Sequence, residues 1–296
     1  MGKPMTVDPT MPETRLAWPV AAQLGEGPLW LDGALWFCDI EGRALHRYTP
    51  ATGARDSFPM PGRASFVVPA AGGGLLVGME LALRRVGTDG APGGVVASVG
   101  GPDNCRTNDA VVDPRGRLWF GTMDLAQRAP IGQVYVHDAG GLRAVGGHAA
   151  ITNGPAASPD GTRLYHVDTL GGLVWAFDIG AREQLVDGTV FARIDPADGS
   201  PDGVTVDAEG CVWVALWGGW SVRRYSPDGE LLSRVALPCA QVTKIAFGGA
   251  DLRTAYVTTA RTGLDDAALR AQPDAGGLFS FTAPAPGLPA YAAQLP

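Results

Sequence analysis

With 296 residues, 46% of them hydrophobic and 18% charged, the chain has an ordinary globular composition and enough apolar residues for a substantial core. A net charge of −7 leaves no basic stripe to neutralise phosphates, which excludes nucleic acid as the expected partner. No apolar run approaches the roughly 20 residues of a membrane helix, so no membrane association is expected.

The opening stretch, MGKPMTVDPTMPETR, is polar, carries proline and lacks the apolar centre of a secretory signal. Residues 1–14 therefore read as a flexible tail on a cytoplasmic protein, and residues 15–296 as one domain. From there the chain falls into six segments of one pattern: an apolar strand, a tight turn built mostly on Asp and Gly, then a second strand with an aromatic. In order they are PLWLDGALWFCD, FVVPAAGGGLLVGM, AVVDPRGRLWFGTM, AASPDGTRLYHVDT, VTVDAEGCVWVALW and IAFGGADLRTAYVTT. Leu35, Leu75, Leu118, Leu164, Val212 and Ala255 are equivalent positions, 40, 43, 46, 48 and 43 residues apart. Further strand pairs follow within the units, as at Ala44–Tyr48, Val134–His137, Leu173–Phe177 and Val222–Tyr225. Four strands per repeat of this length predict an all-β, six-bladed β-propeller around a central channel. Ring closure calls for a borrowed strand, and Arg15–Val20 is placed to pair beside Leu278–Thr282. The one helix-like stretch, Leu264–Gln272, is short and is expected on a loop.

Cys38, Cys105, Cys211 and Cys239 form no C-x-x-C pair, and the four histidines form no H-x-x-x-H, so neither a zinc cluster nor a disulfide framework is expected. Lysine occurs only at Lys3 and Lys244, and asparagine only at Asn104, Asn108 and Asn153, so each is a place to ask what the side chain does. In a propeller the first strand of each blade lines the channel, and the residues just before it gather at one mouth. Counting back nine to twelve residues from each equivalent position reaches Glu26, Ser65 or Phe66, Asn108, Asn153, Asp202 and Thr243 or Lys244. Two carboxylates converging there repel unless a cation lies between them. Glu26, Asp202 and the Asn153 amide oxygen form an all-oxygen set suited to a hard divalent cation such as Ca²⁺, Mg²⁺ or Mn²⁺. Gly25 and Gly27, flanking Glu26, would let the backbone come close to such an ion. Loops at the same mouth carry Asp39, Glu41, Glu80, Asp124 to Gln127, Asp168, Trp217 to Trp220 and Arg261, which predicts a polar pocket with an aromatic wall.

LGEGPLW, RTNDAVVDPRGRLWFGTM, ITNGPAASPDGTRLYHVDT, SPDGVTVDAEGCVWVALWGG and FGGADLRTAYVTTAR carry a resemblance to the gluconolactonase, regucalcin and luciferin-regenerating-enzyme family, over roughly residues 20–285. Within it the chain looks closest to bacterial sugar-acid lactonases. The resemblance implies one catalytic divalent ion (Ca, Zn, Mg, Mn or Fe(II)) held by Glu26, Asn153 and Asp202, with Asp202 also the general base. It implies that Arg106 and Asn108 hold the substrate. The family glutamate three residues after the GTM methionine is Ala126 here, which leaves Asp124 or Gln127 to replace it, and Lys244 stands at a variable place suited to specificity. The implied reaction opens a pentono- or hexonolactone, such as xylono-, arabino- or gluconolactone, to the sugar acid, with Asp202 or metal-bound hydroxide activating water. Competing expectations are a phosphotriester hydrolase on the same metal propeller and a non-catalytic calcium-binding propeller. The expected assembly is a monomer or small homo-oligomer.

Overall fold

The repeated hairpins become six four-stranded antiparallel sheets arranged as a ring in the computed structural model of the protein, which describes residues 12–180 and 185–295. Blade 1 comprises Gly25–Leu31, Ala34–Asp39, Ala44–Thr49 and Ala54–Pro59; blade 2, Ala64–Pro69, Leu75–Met79, Ala82–Val86 and Pro92–Ser98. Blade 3 comprises Cys105–Val112, Leu118–Asp124, Gly132–Asp138 and Gly141–Ala149; blade 4, Thr152–Ala157, Arg163–Asp168, Leu173–Ile179 and Leu185–Arg193. Blade 5 comprises Ser200–Val206, Val212–Trp217, Ser221–Tyr225 and Leu231–Ala236. Blade 6 joins Val242–Gly248, Thr254–Thr259 and Leu278–Thr282 to the N-terminal Arg15–Trp18. The closing strand sets Arg15 opposite Ser280 and Leu16 opposite Phe279, the pairing expected from the sequence. Residues 1–11 of the expected tail lie outside the described residues. The short helix spans Asp266–Ala271, capped by Asp265, whose carboxylate accepts the Ala268 N–H.

Burial falls off outward through each blade. All six residues of Ala34–Asp39 are buried, whereas the outermost Ala54–Pro59 is largely exposed. Inner strands pack on neighbouring blades through both faces, so they read as continuous apolar runs rather than alternating ones. The core is accordingly distributed between blades: Trp213, Ile245, Phe247 and Phe281 cluster where blades 5 and 6 meet, and Tyr165, Val174, Val204 and Val214 where blades 4 and 5 meet.

Two hairpin aspartates anchor this packing. Asp113 accepts the backbone N–H groups of Arg115 and Arg117 on one oxygen, and Arg117 Nε (2.6 Å) and Trp119 Nε1 (2.8 Å) on the other. Asp207 repeats the arrangement, with the N–H groups of Glu209 and Cys211 on one oxygen and Trp213 Nε1 (2.9 Å) and Arg224 Nε (2.8 Å) on the other. Both carboxylates are fully buried and use all their acceptor capacity within their own blades.

The C-terminal segment crosses the channel end formed by these hairpins. The Pro286 carbonyl accepts the Ala208 N–H and Gly287 donates to Leu252 O, which ties the segment to blades 5 and 6. Ala293 then pairs with Ala70 in blade 2, and Gln294 donates to Gly116 O in blade 3. Leu288, Pro289, Ala290 and Tyr291 lie across the opening between those anchors.

Candidate functional site

Every innermost strand carries an irregularity at the residue picked out by the repeat. The pairing with the second strand slips after Glu26 in blade 1, at Ser65 in blade 2 and at Asn108–Asp109 in blade 3. It slips again after Asn153 in blade 4, at Asp202–Gly203 in blade 5 and at Thr243 in blade 6. Such bulges re-aim a side chain that regular pleating would send into the next blade. Proline fits the same places because the skipped ladder position needs no N–H, as at Pro28 and Pro155.

The glycines beside the candidate ligands stand where adjacent blades meet. A Cβ on Gly27 would stand 2.8 Å from the Phe66 Cα of blade 2, and one on Gly25 would stand 2.7 Å from the Thr259 carbonyl oxygen of blade 6. Gly154, after Asn153, likewise abuts Val204 of blade 5, and Gly27 and Gly154 both have positive φ, 55° and 62°. These glycines let adjacent blades close tightly around the candidate ligands.

Glu26, Asn153 and Asp202 are all buried at the channel mouth. Asn153 Nδ2 donates to Asp202 Oδ1 and to Thr169 Oγ1 (3.3 Å), while the Asn153 Oδ1 is buried with no partner among the described residues. Among the described residues Glu26 accepts only the adjacent Gly27 N–H, at 2.9 Å. Burial and then repulsion from Asp109 push the Glu26 carboxyl up to about 8. Burial, reinforced by Glu26 and Asp109, raises the Asp202 carboxyl well above the ordinary range. A carbonyl oxygen without a donor, beside two carboxylates that cannot comfortably ionise together, fits an all-oxygen cradle for a hard cation.

Substrate-type residues flank the cradle. Arg106 Nη1 donates to Asn108 Oδ1 (2.7 Å) and to the Thr107 carbonyl (2.9 Å), and Asn108 Nδ2 donates to Thr152 O (2.8 Å). Burial pulls the Arg106 guanidinium down to about 10, so it stays cationic at neutral pH, helped by Glu41 and Glu26. The rim above is an ion-pair relay in which Arg63 bridges Glu41 (3.5 Å) and Glu80 (3.7 Å). On the other side the backbone of Trp217 pairs with that of Gln241, and a Cβ on Gly263 would reach both side chains.

Two expected substrate contacts are engaged elsewhere. Asp124 accepts the N–H groups of Ala126 (3.1 Å), Arg128 (3.1 Å) and Ala129 (2.9 Å), and the Asn104 amide (3.0 Å). These backbone donors hold its carboxyl below the usual range. In its own loop Asp39 accepts the N–H groups of Gln23, Leu24 and Gly42. Asp124 is therefore a staple for its loop. Asp124→Asn is expected to lower the melting temperature by a few degrees at neutral pH. The difference should shrink as acid protonates the wild-type carboxyl, which thermal melts at pH 7 and pH 3 would read.

Lys244, expected on sequence grounds to contact substrate, instead sends its ammonium to Asp109 Oδ1 and to the Ala110 carbonyl (3.2 Å). Asp109 was not singled out from the sequence, although it sits beside Asn108. The only grouping of three close His, Cys, Asp or Glu ligand atoms among the described residues is Asp207, Glu209 and Cys211. It lies at the blade 5 hairpin, where Arg224 already binds both carboxylates, at 2.8 and 2.6 Å.

Comparison with known proteins matches residues 24–261 to the SMP-30/Gluconolactonase/LRE-like region. The chain is 36% identical over 275 residues to the L-arabinolactonase of Azospirillum brasilense, spanning 86% of this chain and 87% of that one. It is 33% identical over 274 residues to the 6-deoxy-6-sulfogluconolactonase of Pseudomonas putida, spanning 89% and 92%. The solved structure of a calcium-binding regucalcin from Agrobacterium tumefaciens superposes with a TM-score of 0.90 at 30% identity, covering 96% of this chain and 98% of that one.

Proposed function

We propose that this chain, which belongs to the SMP-30/gluconolactonase/LRE-like family, is a lactonase that opens a sugar-derived aldonolactone to the free sugar acid, using one divalent cation held by Glu26, Asn153 and Asp202. The observation that carries the reading is the Asn153 Oδ1, buried without a donor beside two carboxylates whose protons are held by burial. Relatives named for arabinonolactone-type and sulfogluconolactone substrates, and a calcium-binding neighbour, point the same way.

When bound, a hard cation supplies Lewis-acid polarisation of the lactone carbonyl. The remaining work falls to the chain. Arg106, locked by Asn108 and the Thr107 carbonyl, directs its other guanidinium N–H groups at ring or carbonyl oxygens in a forked geometry. Asn108 is fixed by Thr152 and orients that fork. Asp202 accepts the proton of the attacking water, a task suited to a carboxylate whose surroundings favour protonation. The rim of Glu41, Arg63 and Glu80 and the Trp217 wall frame the mouth through which a polyhydroxylated ring enters.

The test is initial-rate lactone opening on a panel of pentono- and hexonolactones, with metal-stripped protein and then with single divalent ions restored. Stripping is expected to abolish the rate. Calcium binding followed by calorimetry in buffers of different ionisation enthalpy should release at least about one proton at pH 7, because Glu26 held near 8 is then mostly protonated and the Asp202 carboxyl is raised as well, and fewer at pH 9. Glu26→Gln should weaken ion binding at least about ten-fold. A full rate after chelation, or ion binding without proton release at pH 7, would discard the reading.

A further inference from the structure

Below the candidate ligands, one ion pair crosses the channel. Lys244 rises from the innermost strand of blade 6 and Asp109 from that of blade 3, on opposite sides of the six-membered ring. Both side chains are buried. The Lys244 stem runs past Gly203, where a Cβ would stand 2.6 Å from the Lys244 Cγ, so the residue after Asp202 has to be small for the lysine to pass. Every acceptor of the ammonium is an oxygen: Asp109 Oδ1 and the Ala110 carbonyl. The second Asp109 oxygen is buried with no partner among the described residues. Asp109 repels both Glu26 and Asp202, and Lys244 is the cation that relieves both. Three buried carboxylates thus share a short stretch of channel in which one ammonium is tethered. On its far side the stem of Lys244 lines a cavity of about 140 Å³ that runs down to the C-terminal segment, with Leu29, Val67, Ala110 and Tyr291 in its wall.

An ammonium held by a carboxylate and a carbonyl, beside an idle carboxylate oxygen, has the surroundings of a hard cation. We propose that the Lys244 ammonium fills a second cation position in the channel, next to the divalent-ion site, and thereby holds the protein to a single divalent ion. This inference rests on the reading of Glu26, Asn153 and Asp202 as ligands. Lys244 is a positioning residue for the ion, acting through Asp109, and it does not touch substrate.

The experiment counts Mn²⁺ ions by the electron paramagnetic resonance signal of the free ion during titration of metal-stripped, full-length protein. Wild type and Lys244→Arg should bind one Mn²⁺ per chain. Lys244→Ala opens the oxygen-lined position and should bind two, with spectral broadening from two nearby ions. Lys244→Met keeps the stem and fills the space, so it should bind one Mn²⁺ at least about ten-fold more tightly, because the unneutralised Asp109 charge adds to the site. Should Lys244→Ala fail to fold, the methionine variant carries the test alone. An ion pair of purely architectural value would lower melting temperatures and move neither count nor affinity. Wild-type binding of one Mn²⁺ with both variants unchanged in count and affinity overturns this inference only. A wild type that binds no Mn²⁺ overturns the metal reading and this inference together.

Discussion

Asp202→Ala is expected to lower kcat/KM for lactone opening by about 10³-fold or more and to weaken divalent-ion binding, with the propeller intact. On the proposed reading one side chain has three tasks, as ion ligand, as proton acceptor and as the partner that holds the Asn153 amide. General-base loss alone is worth roughly 10²–10⁴ in rate, and removing a ligand compounds it. The fold should survive because the ionised carboxylate is a burden on the metal-free protein. Its folded pKa is raised above the ordinary value of 3.8 by burial and by Glu26. The folded state then binds more protons than the unfolded chain, so stability falls as pH climbs above 3.8 toward the raised value. Asp202→Asn removes that loss while keeping an oxygen for Asn153. At pH 8 the metal-free asparagine variant should therefore melt no lower than the wild type, and its melting temperature should fall less between pH 5 and pH 8. Near-normal activity in the alanine variant, or unfolding of both variants at pH 8, would remove Asp202 from the centre of the site.

The second large effect is on stability. Asp207→Ala should destabilise the protein by about 3–5 kcal/mol, the range for stripping one partner from a buried ion pair. The alanine leaves the Arg224 guanidinium and the Trp213 indole N–H without their shared acceptor, and frees two hairpin N–H groups as well. Trp213 is fully buried and packs edge-on against Phe247 at 5.8 Å, so the damage reaches the contact between blades 5 and 6. Calcium affinity should not change, since Asp207 belongs to a hairpin at the opposite end of the channel from Glu26. Denaturant unfolding and calcium calorimetry on the same sample would read both. A loss of calcium affinity with normal stability would instead move the ion to the Asp207, Glu209 and Cys211 group.

The ring was legible because its period is carried by features that do not depend on tertiary context: an apolar run, an Asp- or Gly-bearing turn, and an aromatic strand, repeated every forty-odd residues. The same period located Glu26, Asn153 and Asp202, each at the strand entrance in its own blade. Asp109 escaped for a physical reason. Period-two alternation sends the neighbour of Asn108 to the opposite face, whereas the bulge at Asn108–Asp109 interrupts that alternation and lets Asp109 reach the channel too. Its partner Lys244 is 135 residues away, so no local pattern could join the two. The part Asp124 plays in its own loop was not legible, because a carboxylate that folds back on its loop has the same letter and the same loop position as one that faces a ligand. What distinguishes it is the set of N–H groups at Ala126, Arg128 and Ala129 converging on it, a property of loop geometry.

The C-terminal segment strung from blades 5 and 6 to blades 2 and 3 bridges the far end of the channel. With that end bridged and the Lys244–Asp109 pair across the middle, the mouth beside Glu26 is the wider route for reactant and product alike. On the proposed reading a sugar acid leaving the channel carries a new carboxylate past Arg106, beneath a rim where Arg63 is already paired with Glu41 and Glu80. A carboxylate held at Arg106 occupies the place where the next lactone must land, so the acid should act as a competitive inhibitor of its own formation.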